Sequence, residues 1–102
     1  MPSREQLEKL LAADPEDVFL NFGLAMELAK EEPIEPALRQ FEKVIGLDAD
    51  YAAAYYQKGR LLLGQHRKEE AREVLTAGVA AAQRAGDHHA ETEMGELLKL
   101  AC

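Results

Sequence analysis

The chain has 102 residues, of which 47% are hydrophobic and 30% charged, proportions typical of one folded domain and not of a disordered segment. The net charge of −7 arises in residues 1–51, and this acidic half would repel the phosphate backbone of a nucleic acid. No apolar run approaches the roughly 20 residues that span a bilayer. We therefore expect neither nucleic acid nor a membrane as partner, and a single cysteine, Cys102, favours a reducing, cytoplasmic location.

Six helices are predicted, beginning with one at about 3–13. Ser3 opens a capping-box pattern that would start this helix. The break at Pro15 ends it and begins a second helix, since proline is acceptable in a first turn. We expect this second helix to continue to about Glu32, because Pro33 disfavours helical backbone in the residue before it.

Four further helices follow in the second part of the chain. They are expected at about 34–47, about 51–64 and about 68–85, with a last helix near the end. Gly86 is expected to stop the fifth helix in a left-handed conformation. Asp87 is expected to cap the sixth.

Small residues recur along the chain at an interval of 34 positions. Ala25 recurs as Gly59, and Ala37 recurs as Ala71. Small side chains at these places would let two helices approach closely, because a bulky group would push their axes beyond about 8–10 Å. A fixed period of this length is typical of stacked helix–turn–helix units.

On these residues the chain resembles tetratricopeptide repeat proteins. The positions that match the family pattern are Asn21, Leu24, Ala25, Leu28, Ala37, Phe41 and Ala49 in a first full repeat, and Tyr55, Lys58, Gly59, Leu62, Ala71, Leu75 and Gln83 in a second. Asn21 and Lys58 depart from the pattern, which has apolar residues there. The resemblance implies a single all-α domain over 1–102, a right-handed α-solenoid of antiparallel helix pairs. Its parts would be a half repeat at 3–17, repeats at 18–51 and 52–85, and a capping helix at 86–102.

The resemblance also implies a protein-interaction adaptor that binds a peptide or helix segment in a concave groove. The first helix of each pair would line this groove, with the following residues as the expected partner-binding set: Phe19, Phe22, Met26, Lys30, Tyr56, Gln57, Arg60 and Leu63. Some family members hold a partner's C-terminal carboxylate with Lys and Asn on this face. Phe22 and Met26 stand at the places of the first Lys and Asn, which disfavours that mode and favours an apolar peptide segment.

Two alternatives to the adaptor remain open. In the first, the module forms a homodimer through the same apolar face, since about three helix pairs are near the minimum for a stable stack. The phenylalanines of this face would then be covered by a second copy of the chain, and the last helix could also cover them within one chain. An enzyme or metalloprotein is the other alternative, but no catalytic site, cofactor or metal site is predicted. His88 and His89 point about 100° apart on a helix, and Cys102 is badly placed for a shielded nucleophile.

Overall fold

The structure of the protein, a computed structural model, describes residues 2–102, and these form α-helices and no strand. The helices are α1 (Arg4–Ala13), α2 (Val18–Leu28), α3 (Glu35–Leu47), α4 (Ala52–Gly64), α5 (Lys68–Ala85) and α6 (His88–Leu100). Two compact units can be distinguished, Met1–Asp48 with α1 to α3 and Ala49–Cys102 with α4 to α6. The prediction of an all-α fold is confirmed, whereas the division into repeats and a capping helix stays a prediction.

The starts of α1 and α2 depend on side chains that cap free backbone amides. The Ser3 hydroxyl accepts a hydrogen bond from the Gln6 amide at 3.3 Å, and the Gln6 side chain accepts one from the Ser3 amide at 2.8 Å, which confirms the capping box. The Asp17 carboxylate accepts from the Leu20 amide at 2.8 Å and caps α2. Pro15, which was expected in the first turn of α2, lies instead in the turn before the helix, because the cap places the start of α2 at Val18.

The prediction that α2 continues to about Glu32 is wrong. The helix ends at Leu28, and the amide of Lys30 donates to the oxygen of Glu27, three residues back, at 3.3 Å. Pro33 disfavours helical backbone in the residue before it but does not require the helix to reach that far, and the sequence alone therefore set the limit too late. The earlier end lets the chain reverse direction and bury Ile34 at the start of α3.

The first unit has its core where α2 meets α1 and α3. Gly23 on α2 lies so close to α1 that a Cβ there would be 3.2 Å from a Leu7 methyl carbon. On the other side of α2, the small residues Ala25 and Ala37 and the ring of Phe41 are fully buried. Small residues in these positions allow the close approach that the sequence period predicts.

The second unit shows the same use of small residues between α4 and α5. A Cβ at Gly59 would overlap the side chain of Leu75, and a Cβ at Gly78 would lie 2.6 Å from the Tyr55 Cβ. Ala71, the small residue predicted on the partner helix of Gly59, is fully buried. The α4–α5 pair is therefore held at a separation at which an added methyl group at either glycine would require the neighbouring side chains to move.

The last helix packs on the same unit through both of its ends and its middle. Gly86 has φ 69° and ends α5 in the left-handed region, and Asp87 accepts from the Ala90 amide at 3.0 Å, as predicted. The side chain of Met94 is fully buried against α5. At the far end, Arg72 of α5 donates to the carbonyl of Ala101 at 2.9 Å. In the described part of the chain, none of the helices combines the length and apolar character that crossing a bilayer requires.

Candidate functional site

The α2 face, defined by Phe19, Phe22 and Met26, presents apolar side chains at helical spacing. Phe19 is 70% exposed, while Phe22 and Met26 are half-buried. The Phe22 ring lies with its centroid 6.1 Å from that of Phe41 in α3 and is tilted by 58°, a geometry favourable for aromatic pairs. Phe22 therefore contributes to the core as well as to the surface, and Phe19 is the ring most available to a partner.

Lys30 was predicted on this face but lies outside the helix that carries it. It follows the end of α2, is exposed, and places its Nζ 2.6 Å from a carboxylate oxygen of Glu27. The helical placement of Lys30 is wrong because α2 ends four residues earlier than the sequence suggested. A binding role for this lysine stays a prediction, and its charge is already matched by an acidic neighbour.

The α4 face, defined by Tyr56, Gln57, Arg60 and Leu63, belongs to the second unit. Tyr56, Gln57 and Leu63 are half-buried, whereas Arg60 is exposed. The Arg60 guanidinium carbon lies 5.8 Å from the centroid of the Tyr56 ring, within the range of a cation–π contact. This contact restricts the conformations of the Arg60 side chain, so less conformational entropy is lost when a partner binds it.

A buried polar residue, Asn21, organises the first unit and escaped sequence reasoning. Asn21 is fully buried and donates to the carbonyls of Pro15 at 3.0 Å and Asp17 at 2.8 Å. Its side-chain oxygen accepts from the Gln40 amide group at 2.7 Å. These bonds connect the α1–α2 turn, α2 and α3, and they satisfy the polar atoms that burial would otherwise leave without partners.

The residue one repeat interval after Asn21 makes an equivalent hydrogen bond. Tyr55 occupies the position 34 residues after Asn21, and its hydroxyl donates to the carbonyl of Ala49 at 2.7 Å. Ala49 in turn stands 34 residues after Pro15, whose carbonyl Asn21 binds. Two different residue types therefore make the same bond, from the second turn of the helix to the turn before it. Asn21 departs from the apolar pattern but supplies a hydrogen-bond donor at the same position as Tyr55.

Two exposed ion pairs of the second unit each accompany a pKa shift of one member, Glu70 in one pair and Arg84 in the other. Arg67 donates hydrogen bonds to Glu70 at 2.8 Å, and this contact lowers the pKa of that carboxyl. Arg84 donates to Asp50 at 2.7 Å, and that bond raises the pKa of the guanidinium. Both shifts strengthen the charged form of groups that are already charged at neutral pH, so they indicate structural pairing and not acid–base chemistry.

The histidines and the cysteine lie at the surface of the second unit. His88 Nδ1 lies 3.8 Å from a Glu91 oxygen and His89 Nε2 lies 3.2 Å from a Glu93 oxygen, both at the start of α6. Cys102 is exposed. Within residues 2–102, no group of three or more His, Cys, Asp or Glu side chains is arranged to hold a metal ion.

Comparison with known proteins decides the family. A family model described as tetratricopeptide repeat matches residues 28–90. A tetratricopeptide repeat-containing protein of Pseudomonas aeruginosa is 30% identical over 95 residues, which cover 93% of this chain and 90% of that protein. The chain belongs to the tetratricopeptide repeat family. This confirms the resemblance that the repeat interval and its small residues indicated.

Solved structures agree with the tetratricopeptide repeat assignment. A protein of Bordetella parapertussis has a TM-score of 0.83 at 30% identity, with 99% of this chain and 88% of that chain covered. A tetratricopeptide repeat domain protein of Salinibacter ruber has a TM-score of 0.76 at 30% identity, covering 85% and 88%. The TPR2B domain of yeast Sti1, solved in a complex with pHsp70, has a TM-score of 0.87 at 21% identity, covering 96% and 78%, which shows a shared fold. The tetratricopeptide repeat fold supports a role as a protein–protein interaction module.

Proposed function

We propose that the chain is an adaptor without enzymatic activity that binds a peptide or helix segment of another protein, for which the α2 face of the first unit and the α4 face of the second unit are separate candidate surfaces. The observation that carries this proposal is the exposure of Phe19, at 70%, beside two further apolar side chains on α2. Burying an exposed aromatic ring in a complex removes a large apolar area from water, and aromatic side chains often dominate interface energies.

The α4 face supports the proposal with a different chemistry. Tyr56 and Arg60 are residue types enriched among those that dominate binding energy, and here they are in contact with each other. Half-buried Leu63 adds apolar surface on the same helix. Such a combination suits a partner with apolar anchors and a few polar groups.

The apolar character of the α2 face argues for a particular binding mode. Met26 provides a flexible, polarisable surface that adapts to differently shaped apolar side chains. Phe22 and Met26 replace the Lys and Asn that some family members use to hold a C-terminal carboxylate. A partner's C-terminal carboxylate is therefore not proposed as the ligand here, and an internal peptide or helix segment is.

A titration with matched variants tests this proposal. A partner recovered with the parent chain from its native host is titrated against the Phe19→Ala/Tyr56→Ala variant, which we expect to bind more weakly by about 2 kcal/mol, or about thirtyfold. Phe19→Ala is preferable to Phe22→Ala because Phe22 also packs on Phe41. A control variant with His88, His89 and Cys102 replaced should bind like the parent. Loss of binding in the control alone would refute the assignment of the two faces.

Self-association is a second candidate that exposed leucines favour. Leu10 on α1 is 48% exposed and adjoins a surface depression of about 380 Å³ lined by Pro2, Gln6 and Lys9, and Leu100 on α6 is 63% exposed. Association between copies would remove these apolar side chains from water. Sedimentation equilibrium at several concentrations distinguishes the candidates. A homodimer requires that the apparent mass of the parent rises with concentration and that the Leu10→Ser/Leu100→Ser variant has the mass of a monomer.

We further propose a cytoplasmic location and no direct binding to nucleic acid or membranes. The single cysteine suits a reducing compartment, and the acidic first half of the chain repels polyanions. Titration with a DNA duplex and with vesicles of anionic lipid should show no binding at moderate salt. Binding to either would refute this part of the proposal.

A further inference from the structure

We infer that the segment accepted by the α2 face is basic and amphipathic, with apolar side chains that contact Phe19 and with Lys or Arg side chains directed at the carboxylates around it. This inference rests on the proposed function and names the chemistry of the partner. It depends on two properties of the first unit: an exposed apolar strip and an excess of negative charge at both ends of that strip.

The charge excess belongs to the first unit as a whole. Residues 1–48 contain 5 basic and 11 acidic side chains, a net charge of −6. Two of the cations are already engaged by acidic neighbours. Lys30 pairs with Glu27 at 2.6 Å, and Arg4 contacts Glu8 at 3.0 Å and Glu31 at 3.5 Å. The carboxylates therefore outnumber the cations that could neutralise them, and the unit attracts a positively charged partner.

Carboxylates also bracket the α2 face along its own helix. α2 carries no Lys or Arg between Val18 and Leu28, so no cation on the helix itself repels a basic partner. Exposed Glu16 precedes the helix, and exposed Glu32 follows it, beside Glu31, which Arg4 contacts. The 11 residues of α2 span about 16 Å, so a segment of similar length meets apolar contacts in its middle and carboxylates near both ends.

The two properties would contribute differently to binding. Burial of Phe19 supplies affinity by removing apolar area from water, and this contribution does not depend strongly on salt. Exposed charges supply selection and faster association, and their effect decreases when salt shortens the Debye length from about 10 Å towards about 3 Å. A basic partner is therefore expected to lose its advantage over a neutral one at high salt.

Three synthetic peptides test the inference with the full chain. Each has about 14 residues and the same apolar face of Leu and Phe, with Lys, Gln or Glu on the polar face. By fluorescence anisotropy at low salt, the Lys peptide should bind at least about tenfold more tightly than the Gln peptide, and the Glu peptide more weakly than both. At about 1 M salt the three affinities should converge.

Variants then locate the interaction on the α2 face. Phe19→Ala should weaken binding of the Lys and Gln peptides by the same factor. Because the Phe19 side chain is exposed, its removal should leave the core intact, and the loss of binding is then not due to unfolding. Glu16→Lys/Glu32→Lys should abolish the preference for the Lys peptide. The control variant Glu73→Lys/Glu96→Lys changes the net charge equally at exposed positions of α5 and α6, and it should keep the preference.

The alternative outcomes separate this inference from the proposed function. Equal binding of the Lys and Gln peptides refutes the charge selection and leaves peptide binding standing. Loss of the preference in both charge variants refutes the location at α2. Binding of none of the three peptides also refutes the inference, whereas the titration with the native partner judges the proposed function independently. A concentration-dependent mass that Phe19→Ala abolishes would mean that a second copy occupies the face, which also refutes it.

Discussion

Replacement of Gly59 by alanine tests the closest approach between α4 and α5. The added Cβ would overlap Leu75, and Leu75 is itself fully buried, so it has little room to move. Alanine improves helix propensity by about 1 kcal/mol over glycine, but overpacking a core costs about 1–3 kcal/mol. We expect Gly59→Ala to lower the free energy of unfolding by about 1 kcal/mol in balance.

Gly95 provides a matched control in the same unit. It lies inside α6, and a Cβ built there meets no atom within 4 Å. Gly95→Ala should therefore keep the propensity gain without the overlap and raise the free energy of unfolding by about 0.5–1 kcal/mol. The two substitutions are chemically identical, and only the neighbouring side chain makes their effects opposite in sign.

Thermal melts followed by circular dichroism measure this difference. A gap of about 2 kcal/mol corresponds to a separation of about 10 °C between the two variants for a domain of this size. Gly59→Leu should be less stable than Gly59→Ala, since it adds more volume at the same contact. If Gly59→Ala melts at or above Gly95→Ala, α4 and α5 do not approach as described, and the repeat alignment that placed Gly59 there is wrong.

Three further predictions address the buried polar network, the last helix and an ion pair. Asn21→Ala should lower the free energy of unfolding by about 2–3 kcal/mol because it removes a fully buried amide bonded to Pro15, Asp17 and Gln40, while Tyr55→Phe, which removes the bond to the Ala49 carbonyl, should cost about 1 kcal/mol; equal losses in denaturant titrations would contradict this. Deleting residues 87–102 should expose the apolar side of α5 that this helix covers, so that solubility and melting temperature both decrease; an equally stable, monomeric product would show that the helix is dispensable. Glu70 should titrate below its ordinary pKa by NMR and return towards it in Arg67→Gln. Because the folded pKa is depressed, this pair stabilises the fold above the unfolded pKa and loses that contribution as the pH falls through the folded value, whereas an unchanged titration in the variant would rule out the pairing.

The grouping of three α2 residues on one helix face was predictable, but their environments were not. Helical spacing placed Phe19, Phe22 and Met26 on one face of α2, as the structure shows. Spacing does not reveal which side chain a neighbouring helix covers, and contact with Phe41 leaves Phe22 half-buried while Phe19 remains exposed. Lys30 was misplaced because the end of α2 depends on where the next helix packs. The binding roles of all these residues stay predictions.

The sequence by itself determined the features that depend on neighbouring positions or on the repeat interval. The capping box at Ser3, the left-handed stop at Gly86 and the cap at Asp87 each need only a few consecutive residues. Small residues at a fixed interval also identified the family from the sequence alone. The interval is visible because every helix pair needs small residues at the same places. Only the tertiary structure decided that Asn21 is buried and bonded. An amide is stable in a core only when distant segments supply its partners, and no local pattern states which segments will meet.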